Sequence, residues 1–97
     1  MKLRDSVAER YQENLVSNEE MNGGFRIALK FENNYGVSFI CHYGSYGNEI
    51  AVLKFDKNGN SHLCYDTEIT DDVLGHLEYE EVFETIERIK NLKEDSK

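Results

Sequence analysis

The stretch from Phe25 to Asp66 constrains this chain most, because three of its loops end in glycine: Asn34-Tyr35-Gly36, Ser45-Tyr46-Gly47 and Lys57-Asn58-Gly59. Between them the apolar residues alternate. Phe25, Ile27, Leu29 and Phe31 fall on one side of a strand over residues 25–32, with Arg26, Ala28, Lys30 and Glu32 on the other. Period-2 alternation is the signature of a half-buried strand. The same odd-numbered face continues through Val37, Phe39, Cys41 and Tyr43, then Ala51, Leu53 and Phe55, then Leu63 and Tyr65.

Loop length decides whether these sets meet, since a slip of one residue turns a whole strand over. A three-residue loop with a left-handed glycine at its end sets odd residues against odd. It pairs Phe31 with Phe39 and Leu29 with Cys41, then Phe39 with Leu53 and Val37 with Phe55, then Leu53 with Leu63. A four-stranded antiparallel meander is expected. Its even face lines up Ile40, Val52 and Cys64, with Ile50 beside them and His42, Lys30, Lys54 and His62 at the rim. That patch is either covered by the N-terminal helix or left as a contact face for a partner or a second copy of the chain.

Helices are expected before and after the sheet along the chain. Leu3, Val7, Tyr11 and Leu15 recur every four residues and predict a helix over residues 2 to about 21, stopped by Asn22-Gly23-Gly24. Thr70 followed by Asp71 and Asp72 reads as the start of a short helix. Tyr79, Val82, Phe83, Ile86, Ile89 and Leu92 predict a longer one over residues 79 to about 93, lying across the odd face. Residues 94–97 read as frayed. The whole chain, residues 1–97, thus reads as a single α+β domain: an N-terminal helix, the four-stranded meander, a short helix and a C-terminal helix on one sheet face.

Charge narrows function more than any motif does. The net charge of −8 argues against direct nucleic-acid binding, which needs clustered Lys and Arg. No Lys or Arg occurs between Asn58 and Glu87, where Asp66, Glu68, Asp71, Asp72, Glu78, Glu80, Glu81 and Glu84 fall. These carboxylates are either solvated helix starts or an acidic surface that competes with nucleic acid for a basic partner. Tyr35 and Tyr46, at the centres of hairpin loops, read as solvent-tolerant filler or as anchors for that partner.

Catalytic, metal and cofactor readings find little in the residues. Cys41 and Cys64 fall on opposite faces in the expected register, a poor disulfide geometry, and His42 and His62 sit toward opposite ends of the even face. Cys41 and His42 are strand neighbours that face opposite ways, and no glycine-rich turn leads from a strand into a helix. Neither an apolar run of the ~20 residues a membrane span needs nor a signal-peptide core is present. A cytoplasmic protein without cofactor or metal is expected.

The run Lys57-Asn58-Gly59-Asn60, Leu63-Cys64-Tyr65-Asp66-Thr67, Ile69-Thr70-Asp71-Asp72-Val73-Leu74-Gly75, Glu81-Val82 and Ile86-Glu87-Arg88-Ile89-Lys90-Asn91-Leu92 resembles small proteins of phages and prophages of low-GC Gram-positive bacteria. Those of assigned function often inhibit host defence. The layout of helix, antiparallel sheet and acidic helices is also similar to acidic anti-CRISPR proteins that occupy a Cas nuclease's DNA-binding surface. The resemblance implies a non-enzymatic inhibitor of a bacterial protein or ribonucleoprotein effector, acting in the host cytoplasm by DNA mimicry. It assigns no site residue. A homodimeric structural or regulatory protein joined through Ile40, Ile50, Val52 and Cys64 is the alternative.

Overall fold

The structure, a computed structural model, describes residues 2–45, 47–64, 67 and 74–93. It is an α+β fold in which both described helices pack on one face of a five-stranded antiparallel meander. The chain runs through α1 (Leu3–Arg10), a 3-10 turn (Gln12–Asn14), β1 (Leu15–Met21), β2 (Gly24–Lys30), β3 (Tyr35–Cys41), β4 (Glu49–Phe55), β5 (Ser61–Leu63) and α2 (Tyr79–Lys90). The strands lie in the order in which they occur along the chain.

The first correction is β1. Residues 15–21 were expected to continue the N-terminal helix, and instead they form an edge strand paired with β2. The reason is the turn that follows. Asn22 and Gly23 both have positive φ, 45° and 76°, so Met21 and Gly24 face each other across a two-residue hairpin. Asn-Gly is the pair that best tolerates two successive left-handed residues. The helical stripe carries little beyond Tyr11, because Leu15 and Val16 remain exposed.

The second correction concerns register. Between β2 and β3 the turn closes earlier than expected: Phe31 N–H donates to the Tyr35 carbonyl and Asn34 takes the left-handed position at φ 66°. Ile27 therefore opposes Phe39 and Leu29 opposes Val37. The odd residues still share a face, since this turn moved by a whole period. The connection between β3 and β4 behaves differently. It occupies residues 42–48, and Val37 meets Val52 while Phe39 meets Ile50. Odd now opposes even, so β4 is turned over relative to expectation. The Lys57-Asn58-Gly59 loop falls as expected, with Leu53 opposite Leu63 and Gly59 at φ 84°.

One core results. Ile27, Leu29, Val37, Phe39, Ile50 and Val52 form its sheet side, Val7 and Tyr11 reach it from α1, and Val82, Ile86 and Ile89 from α2. Each of the three α2 side chains is fully buried, a burial that stabilises by roughly 1.5–3 kcal/mol apiece. The opposite sheet face carries a smaller buried group of Ala28, Leu53 and Phe55. After β5 the chain stays on the β4 edge at two points. Cys64 N–H donates to the Val52 carbonyl, and Leu74 exchanges two hydrogen bonds of 2.8 Å with Ile50. The short helix expected from Thr70 and the frayed tail at 94–97 lie outside the described residues.

Candidate functional site

The acidic candidates that the structure describes are gathered on α2. Glu78, Glu80, Glu81 and Glu84 are exposed, and Glu87 is half-buried. Their jobs differ. Glu78 is the N-cap and forms a reciprocal capping box with Glu81, whose carboxylate accepts from the Glu78 N–H at 3.0 Å. Such a box satisfies two N–H groups that a helix start leaves open. Glu87 accepts a hydrogen bond of 2.5 Å from the Tyr11 hydroxyl, tying α2 to the end of α1. Burial first, then this bond and the Glu87 charge, push the Tyr11 phenol well above its ordinary value of 10.0, with Arg10 opposing. Glu80 and Glu84 remain as the outward acidic pair. Asp66, Glu68, Asp71 and Asp72 lie outside the described residues.

The tyrosines are redistributed. Tyr35 is buried at the start of β3, not at a loop tip, because the turn closes on Asn34. The Lys54 ammonium sits 4.1 Å from its ring centroid. Tyr46 lies outside the described residues. Among the described residues the exposed tyrosines are Tyr43, at 84%, and Tyr79, at 52%. Tyr43 was expected inward on the third strand; that strand ends at Cys41 and the side chain instead lies over the Asn22-Gly23 turn, against Gly23. The Gly44-Ser45 pair directly after it was the available signal. Tyr79 opens α2 with its ring 5.3 Å from Phe83, and the Arg10 guanidinium covers the Phe83 ring at 4.9 Å. An aromatic ladder, Tyr79–Phe83–Tyr11–Phe31, thus runs from the surface of the α1–α2 seam into the core.

Ile40, Ile50, Val52 and Cys64 do not share a face. Ile50, Val52 and Cys64 are buried beneath the helices, whereas Ile40 is half-buried and stands on the opposite side of the sheet. The overturned β4 is the cause. Asn33 and Asn48 are structural ties. Asn33 Nδ2 donates to the carbonyls of Ile89, Lys90 and Leu92 at 2.8–3.2 Å and so caps the end of α2. Asn48 Nδ2 donates to the Leu77 carbonyl and fixes the approach to α2.

The groups with chemical potential are occupied in shaping loops. Ser45 Oγ accepts from the His42 N–H and lies within hydrogen-bonding distance of the His42 and Gly47 carbonyls. His42 Nδ1 lies 2.7 Å from the Tyr43 carbonyl oxygen. Cys41 and Cys64 are not joined in a disulfide. Among the described residues no three His, Cys, Asp or Glu side chains are grouped to hold a metal, and no helix is long and apolar enough to cross a membrane. A cleft of about 740 Å³ lies between the start of α1 and the β1–β2 turn, lined by Lys2, Arg4, Glu20 and Phe25 among others. There Arg4 Nε donates to Asn18 and its guanidinium lies 4.0 Å from the Glu20 carboxylate. Comparison with protein-family models, with curated proteins and with solved structures finds no match to this chain.

Proposed function

We propose that the chain is a non-enzymatic binding protein of phage type, which blocks a bacterial defence effector by presenting carboxylates where that effector would hold nucleic-acid phosphates. The observation that carries this reading is the one-sided charge. Residues 58–87 hold no Lys or Arg, and the part of α2 that lies in that stretch turns Glu80 and Glu84 to solvent beside the exposed ring of Tyr79. Complementary charge steers association and suppresses wrong partners more than it adds to final affinity. The effector is a bacterial protein or ribonucleoprotein with a cationic nucleic-acid surface, such as a Cas-type nuclease, met in the host cytoplasm.

Capture from a bacterial lysate on the immobilised chain, followed by binding at rising salt, tests the reading. The expected partner is a nucleic-acid-binding effector, released by competing DNA, whose association rate falls as salt rises. The informative charge reversal is E80K with E84K, because it spares the Glu78–Glu81 capping box and so leaves α2 intact. Unchanged association by that double variant, or binding indifferent to salt, sinks the mimicry.

A further inference from the structure

The part of the molecule that this reading leaves unused is the open edge of β1. Met21 and Gly24 close the two-residue turn as a hydrogen-bonded pair, and pairs alternate along an antiparallel ladder. The N–H and C=O of Asn18 and Glu20 therefore point away from β2, toward solvent. Next to them Leu15 and Val16 are 37% and 56% exposed. An open edge of this kind is a template for another strand unless charge or irregularity blocks it.

Charge does not block a second copy here, and the one irregularity of the strand lies toward its start, between Leu15 and Ser17. Glu19 stands opposite Arg26 on β2, and Glu20 lies 4.0 Å from Arg4. The edge is locally balanced in a chain of net charge −8. The acidic helix α2 lies over β3 and β4, whereas α1 lies over β2. Two copies meeting at β1 thus keep their acidic surfaces apart.

We propose that β1 pairs antiparallel with β1 of a second copy about a two-fold axis through Asn18, doubling the sheet. Between Ser17 and Met21 the outward backbone groups belong to even-numbered residues, and the register shift between Leu15 and Ser17 ends that regular stretch, which restricts the registers. Centring on Glu19 or Glu20 sets a glutamate against its own copy, and like charges directly opposite are destabilising. Centring on Asn18 sets Ser17 against Glu19 of the partner within the regular stretch of the strand and leaves the irregularity at Val16 outside the pairing. Arg4 Nε already donates to the Asn18 Oδ1, which leaves the amide nitrogen as the remaining polar group of that side chain.

Sedimentation of the full chain across concentration, with light scattering at the upper end, reads the outcome. The wild type is expected to dimerise. N18D places two carboxylates on the axis while keeping an acceptor for Arg4, and is expected to weaken the dimer by about tenfold or more with the monomer's circular dichroism unchanged. S17K, which sets a cation against Glu19 of the partner, is expected to tighten it. A wild type that stays monomeric to about 1 mM, or a dimer indifferent to N18D, overturns the proposal. Weakening by S17K overturns the register.

Discussion

The two helices cover the same core and are built to different standards. α2 spans twelve residues, buries Val82, Thr85, Ile86 and Ile89, opens on a capping box and ends on the amide of Asn33. Acidic Glu80 and Glu81 stand at its start and basic Arg88 and Lys90 at its end, as the helix dipole favours. α1 spans eight residues, buries Val7 alone within its length and has no side-chain cap at Lys2. Isolated helices this short are marginal, so α1 persists through what it touches. The contrast teaches that one scale of apolar spacing can mark a self-sufficient element and a dependent one. End chemistry tells them apart.

That contrast predicts a graded series. Ile86→Ala, at a fully buried site beneath α2, is expected to cost about 3–4 kcal/mol in chemical denaturation. Val7→Ala, equally buried but on α1, should cost about 2 kcal/mol. Hydrogen exchange should find α1 amides opening well before those of α2. Equal protection of the two helices would break the comparison. Asn33→Ala removes the donor shared by three carbonyls at and just past the end of α2, and about 1–2 kcal/mol is expected, read as a lower midpoint in urea. Asn33→Asp should cost more than Ala, because a carboxylate would then face those carbonyl oxygens. If Asp were tolerated better than Ala, the cap would not be what ends α2.

What the sequence disclosed follows the same division. The α2 stripe, the alternation in β2 and the Lys57-Asn58-Gly59 loop were legible, since each couples an apolar period to local chemistry that agrees with it. In that loop Asp56 Oδ1 accepts from the N–H groups of Asn58 and Asn60, so the turn is specified where it stands. Two of the failures came where glycine was taken as the only marker of a left-handed residue. Asn22, Asn34 and His76 also adopt positive φ, which moved one turn off Gly36 and hid another inside a supposed helix stop. Gly36 serves a different purpose: a Cβ there would lie 2.1 Å from the Leu29 carbonyl oxygen, so the residue marks close packing of strands. Of the candidate site, the exposure of Glu78, Glu80, Glu81 and Glu84 was legible from the helix period. The burial of Tyr35 and the exposure of Tyr43 were not, because both depend on where a strand ends.

The smallest expected effect is the most specific to the seam between the helices. Tyr11 is buried just past the last turn of α1 and donates to Glu87 on α2. Tyr11→Phe keeps the ring packed against Phe31 and Phe83 and removes only the hydroxyl, so at neutral pH it should cost about 1 kcal/mol. Its pH dependence identifies the bond. In the unfolded chain the phenol titrates near its ordinary 10.0, whereas in the folded chain burial and the neighbouring carboxylate hold the proton to higher pH. The contribution is therefore fully present below pH 10 and is lost as pH rises beyond it, because only the unfolded state can then release the proton. The stability difference between wild type and Tyr11→Phe should accordingly be constant from pH 7 to 9 and shrink by pH 11, whatever the other tyrosines contribute to both proteins. A difference that stays level through pH 11 would mean that the hydroxyl does not couple the dependent helix to the self-sufficient one, and α1 would then rest on its apolar packing, its ring contacts and the hold of Arg4 on β1.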